Sequence, residues 1–125
     1  MFDYPRSGIY NLRVSYHSNL YCPPVDVIET KDEFLVRVEI AGVSEKDFNI
    51  RLEKSTLVIS GTRNDQMKNY SFHQMEISYG EFLVEVHINQ PLDAGSITAE
   101  YKNGFLEVTM IKAVPKEIQI IDKDS

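Results

Sequence analysis

A single cysteine, Cys22, in 125 residues leaves no intrachain disulfide possible, so a small secreted scaffold stapled by disulfides is excluded. No apolar run approaches the roughly 18 residues of a membrane-spanning helix. The first residues, MFDYPRSGIYNLRVSYHSNLYC, place Asp3, Pro5 and Arg6 where a signal peptide needs a basic start and an unbroken apolar stretch. These absences predict a cytoplasmic protein with no membrane span. Clustered basic residues are missing too: 13 Lys and Arg are scattered among 19 Asp and Glu, for a net charge of -6. Phosphate backbones bind concentrated positive charge, so nucleic acid is not an expected partner.

The residues of catalysis are equally sparse. The 3 histidines, His17, His73 and His87, stand in separate segments, with no His-x-x-x-His or Cys-x-x-Cys spacing to hold a metal. No glycine precedes a Lys-Ser or Lys-Thr pair, so the phosphate-cradling loop of nucleotide-driven proteins is absent from the sequence. The acidic pairs Glu45 with Asp47 and Asp122 with Asp124 sit beside a turn and near the chain end, where such charge is ordinarily solubilising. No catalytic residue, metal or cofactor is expected, and an enzyme is the weaker class of reading.

What the sequence does contain is alternation. Its 42% hydrophobic content suits one ordinary domain with a real core. Phe34, Val36, Val38 and Ile40 alternate with Leu35, Arg37 and Glu39, as a strand with one face on a core requires. Phe48, Ile50 and Leu52 repeat the pattern, Leu57 and Ile59 follow a Lys54-Ser55 turn, and Phe82, Val84, Val86 and Ile88 form a further one-faced run. Ile97, Ala99 and Tyr101 lead through Lys102-Asn103-Gly104 into Leu106, Val108 and Met110. Asn-Gly between two alternating runs is a strong hairpin signal, because the tight turn that matches strand twist needs positive φ at both central residues. No helical stripe is sustained; Ser44-Glu45-Lys46-Asp47 fits a capping box too short to propagate. The expected fold is all-β, a sandwich or barrel of antiparallel strands over residues 23–113, preceded by an arm (1–22) and followed by a tail (114–125).

Two segments escape the pattern. Thr62 to Met75 begins polar and ends with Tyr70, Phe72 and Met75, which predicts a long excursion with a short strand at its far end; loops of that length are usually functional. Residues 1–22 carry Phe2, Tyr4, Ile9, Tyr10 and Leu12 without helix or strand period, so they form either an irregular cover or a mobile, sticky arm.

The tail raises a separate question. Pro115 cannot extend a hydrogen-bonded ladder, and beyond it Ile118, Ile120 and Ile121 precede the last charged residues. In an extended chain Ile118 and Ile120 point the same way, two knobs that need two holes. The holes lie either on another molecule or on the chain's own domain, as a last strand.

In this order of strands, Ala99-Glu100-Tyr101-Lys102-Asn103-Gly104-Phe105-Leu106 is similar to the signature A-x-x-x-N-G-x-L of the small heat-shock proteins, the α-crystallin family. Pro23-Pro24-Val25-Asp26-Val27, Glu39-Ile40-Ala41-Gly42-Val43, Leu57-Val58-Ile59-Ser60-Gly61, Tyr79-Gly80-Glu81-Phe82 and the Ile118-Gln119-Ile120 tail support the resemblance, which covers residues 23–121. It implies an α-crystallin domain, which is an immunoglobulin-like β-sandwich of two antiparallel sheets, and an ATP-independent holdase that keeps partly unfolded clients from aggregating, working as a homodimer building block of a larger homo-oligomer. It also implies that the tail enters a neighbour's groove between residues 47–53 and 97–101, lined by Phe48, Ile50 and Ala99. By the same resemblance the excursion is exchanged with a partner through Tyr70 and Phe72, and clients meet Phe2, Tyr4, Ile9, Tyr10 and Leu12 of the arm. The chain departs from the family where arginines commonly flank Tyr-Gly-x-Phe, having Ile77 and Val84, and where Leu-Pro commonly ends the next strand, having Ile88-Asn89. The alternative is a monomeric co-chaperone adapter of the CS-domain type.

Overall fold

The computed structural model describes residues 10–13 by their backbone, and residues 20–67, 69–115 and 117–124 with their side chains. Among the described residues eight strands are formed: β1 (Tyr10–Arg13), β2 (Val25–Glu29), β3 (Glu33–Glu39), β4 (Phe48–Glu53), β5 (Thr56–Arg63), β6 (Gly80–Ile88), β7 (Thr98–Lys102) and β8 (Phe105–Ile111). They make two four-stranded sheets, ordered β1-β6-β5-β4 and β2-β3-β8-β7, and every strand pair is antiparallel. The protein is therefore all-β, as the alternation predicts, and of the sandwich and the barrel it is the sandwich of two antiparallel sheets that the family resemblance implies.

Period two decides which side chains fill the space between the sheets. Phe34, Val36 and Val38 of β3, with Ile40 just beyond it, face Val84, Val86, Phe82 and Ile88 of β6, and Val108 and Met110 of β8 complete the layer. Among the described residues no polar or charged residue is buried, so the core rests on apolar burial and close packing.

The hairpin between β7 and β8 turns at Asn103 (φ 54°) and Gly104 (φ 81°), the left-handed pair that the Asn-Gly signal anticipates. Gly104 is also a contact. A Cβ there would lie 3.1 Å from the Ala41 Cβ, and the Gly104 carbonyl accepts the Ile40 N–H at 2.8 Å. The Ala99–Leu106 stretch is thus welded to Glu39–Val43. Tyr101 adds a second weld, donating its hydroxyl to the Ile40 carbonyl (2.8 Å) while accepting the Val43 N–H (3.4 Å).

Three local features differ from the sequence expectation. Glu45–Asp47 forms one 3-10 turn, but Ser44 makes no side-chain cap, because its own carbonyl already takes the Asp47 N–H at 2.8 Å and β4 begins at the next residue. Tyr10–Arg13, in a segment without period, nonetheless pairs with β6 in the register Tyr10↔Ile88 to Arg13↔Glu85. An open strand edge recruits backbone, and backbone pairing needs no side-chain alternation. Between Arg63 and Gly80 no strand forms among the described residues, so the short strand expected near Tyr70 and Phe72 is absent from the single chain. A segment with no neighbouring edge has no ladder to join.

Candidate functional site: an open groove and an undocked tail

β4 and β7 are each the outer strand of their sheet, and between them runs a groove of about 410 Å³. Its lining joins Phe48 and Ile50 of β4 to Ala99, Glu100 and Tyr101 of β7, with Leu106 beneath and Glu45 at one end. The three residues expected to line a groove, Phe48, Ile50 and Ala99, are thus brought together. Glu45, Glu100, Tyr101 and Leu106 were not anticipated. Tyr101 was legible, since in a strand it shares a face with Ala99.

The walls are fixed by the fold. The Phe48 ring packs at 4.9 Å from Tyr101 and edge-on to the buried Phe82 at 5.9 Å, and the Tyr101 hydroxyl is tied to the β3–β4 connection. Phe48 and Ile50 remain only half-buried. The groove is therefore a preformed slot, apolar along Phe48, Ile50, Ala99 and Leu106 and polar at the Glu45 and Glu100 carboxylates, with backbone edges on either side. Such a slot suits an extended segment with apolar residues two apart.

The tail offers that segment. The chain is held to the sandwich as far as Ala113: the Lys112 N–H donates to the Asp32 carbonyl (2.9 Å) and the Ala113 N–H to the Pro91 carbonyl (3.0 Å). The Lys112 ammonium also donates to Glu29 Oε2 (2.7 Å) and the Thr30 carbonyl (2.8 Å). Hydrogen bonding from Lys112 and, more weakly, from Gln90 outweighs partial desolvation and holds the Glu29 carboxyl below its usual pKa. Past this anchor Ile118 is 84% exposed, Ile120 95% and Ile121 77%. The isoleucines do not form a last strand on their own domain.

Tyr70 and Phe72 are exposed and do not contact the groove residues. Phe2, Tyr4 and Ile9 lie outside the described residues; Tyr10 and Leu12 are placed by backbone alone, opposite Ile88 and Val86. Among the described residues no three His, Cys, Asp or Glu side chains gather as metal ligands would, and no helix is long and apolar enough to cross a membrane.

The Hsp20/alpha crystallin family pattern matches residues 26–122. The chain is 29% identical over 103 residues to a probable 15 kDa heat shock protein of Leptospira interrogans, covering 81% of this chain and 79% of that protein. It is 25% identical over 99 residues to small heat shock protein C4 of Rickettsia felis, covering 78% of this chain and 61% of that one. Among solved structures, heat shock protein 16.0 of Schizosaccharomyces pombe superposes with a TM-score of 0.73 at 32% identity, over 83% of this chain and 78% of that one. Against several curated relatives the chain spans about six tenths of their length. Sandwich, signature hairpin and matched span agree, and the chain belongs to the Hsp20/alpha crystallin family.

Proposed function

We propose that this protein is an ATP-independent holdase, a dimer-based homo-oligomer that captures partly unfolded proteins and keeps them from aggregating in the cytoplasm. One observation carries the proposal: the same chain presents an open groove between its two edge strands, partly lined by Phe48, Ile50 and Ala99, and two isoleucines two apart on an undocked tail. A plug and a socket on one chain make links between copies.

Burying an isoleucine contributes roughly 1.5–3 kcal/mol before the cost of ordering the tail, so one link is weak. Repeated around an assembly, such links gain from effective concentration and hold it together while each still exchanges. A slot vacated by a tail, and the apolar residues of the arm, then meet the apolar segments and bare strand edges of an unfolding client. Breadth suits this task better than a shaped pocket. Subunit pairing through Tyr70 and Phe72 would supply the dimer.

Light scattering of the wild type beside the Ile118→Ala, Ile120→Ala variant tests the link. The expected result is a large assembly for the wild type and dimers for the variant. Equal masses for the two proteins would overturn the plug, and monomers in both would favour the adapter reading.

A further inference from the structure

Arg63 ends β5 at the point where the chain leaves the sandwich, and Gly80 opposite it is where β6 resumes. Its guanidinium spans the neck between them. Nε donates to the Ser78 carbonyl at 2.9 Å, Nη2 donates to the same oxygen, and Nη1 donates to the Ala41 carbonyl at 3.4 Å. The cation lies 5.2 Å from the centre of the Tyr79 ring and 5.6 Å from that of Tyr21. Tyr21 itself is tied to β6, donating its N–H to the Glu81 carbonyl (3.1 Å) and accepting the Leu83 N–H (3.0 Å).

One side chain therefore joins three segments: the root of the arm, the β3–β4 connection and the far end of the excursion. Arg37 and Arg51 face carboxylates, but Arg63 forms no ion pair among the described residues and spends its donors on main-chain carbonyls. The acceptors do not titrate, and the fork geometry with stacked rings is one that lysine cannot reproduce. Ile77 stands on the same neck and shares a pocket with Arg63, whose guanidinium reaches the neck from the opposite strand.

We infer that Arg63 is a positioning residue for subunit pairing: it fixes the direction in which residues 64–77 leave the sandwich, and so where Tyr70 and Phe72 are presented, without touching the partner. This rests on the proposed exchange of that segment between subunits. Closing the neck in advance removes part of the ordering that pairing would otherwise have to supply.

The test uses the full chain with Cys22→Ser and spin labels at Ser71→Cys and Asn49→Cys, diluted into unlabelled protein so that only distances within a chain are read. Arg63→Met should broaden the distance distribution, and Arg63→Lys should broaden it nearly as much. In the tail-disabled background, Arg63→Met should weaken the dimer by about tenfold in Kd, the size expected for losing preorganisation. An unchanged distribution overturns the clamp, a lysine variant that matches wild type overturns the fork argument, and a broadened distribution with unchanged Kd overturns the link to pairing. Tyr70→Ala, Phe72→Ala separately reports the exchange itself: if it leaves the dimer intact, the pairing reading fails while the label distances still judge the clamp.

Discussion

Gly61 sits in β5 opposite Phe48, and a methyl group there has nowhere to go. A Cβ built on its backbone would lie 2.4 Å from the Asp47 carbonyl oxygen and 2.6 and 3.0 Å from Cζ and Cε2 of Phe82. Neither neighbour can yield cheaply. The carbonyl belongs to the backbone entering β4, and the Phe82 ring is 1% exposed with Phe48 and Tyr21 packed around it. Overpacking typically costs 1–3 kcal/mol, and with two hard contacts Gly61→Ala belongs at or above about 3 kcal/mol. For a domain near 100 residues that is a fall in melting temperature of roughly 10–20 °C. Far-UV circular dichroism at one fixed protein concentration measures it, since the proposed assembly would make the midpoint concentration-dependent. Gly95→Ala is the control, because its Cβ would meet only Asp93 Oδ1 at 3.6 Å. A Gly61→Ala protein melting within about 2 °C of wild type, well inside the shift expected of one overpacked core contact, would refute the packing described between β4, β5 and β6. The folded fraction should also assemble less well, because Phe48 forms a wall of the groove.

Tyr101→Phe removes the hydroxyl that donates to the Ile40 carbonyl and accepts the Val43 N–H, and should cost about 1–2 kcal/mol in urea unfolding while loosening the groove. Tyr21→Phe should be neutral or stabilising by up to about 1 kcal/mol, since the Tyr21 hydroxyl is buried without a hydrogen-bond partner among the described residues. Burial raises the Tyr21 pKa more than Arg63 lowers it. A raised folded pKa means stability is held below the usual value of 10.0 and lost as pH climbs above it, and the variant should flatten that alkaline limb. Glu29 is the opposite case: its lowered folded pKa gives a contribution present above its usual 4.5 and lost as pH falls below it. Lys112→Met should abolish that part of the acid dependence in unfolding curves recorded from pH 6 to 3.

The fold was legible because burial on one face of a strand writes itself as alternation. Phe34 to Ile40, Phe82 to Ile88 and Leu106 to Met110 all carry it, and all are buried as the period requires. Asn103-Gly104 was legible for a different reason, since few dipeptides accept two left-handed residues. Phe48, Ile50 and Ala99 fell into one groove because the two edge strands that carry them close the same side of the sandwich. Interactions made through main-chain atoms left no trace. β1 is held by its backbone pairing, Tyr21 joins β6 through its amide and carbonyl, and Arg63 reaches carbonyls that every residue possesses. A composition of side chains cannot announce a partner that is backbone.

The distribution of exposed apolar side chains separates folding from association. Every large exposed hydrophobic among the described residues lies in the 64–79 excursion or the tail, except Phe105 and Ile111 at the two ends of β8. The sandwich between them buries its apolar residues, and among its described residues no polar or charged residue is buried, so its core is built from contacts within the one chain. The excursion and the tail gain little from their own domain and stand to gain by meeting another surface. Each is also rooted by a cation on the sandwich, Arg63 at the neck of the one and Lys112 at the base of the other, donating to main-chain carbonyls at both sites. A rooted segment keeps its free end within a bounded reach, and from Ala113 to Ile118 that reach is at most about 18 Å of extended chain. Under the proposed link between copies, only grooves within that radius can be filled by a tail, so the roots would set how closely neighbouring subunits stand.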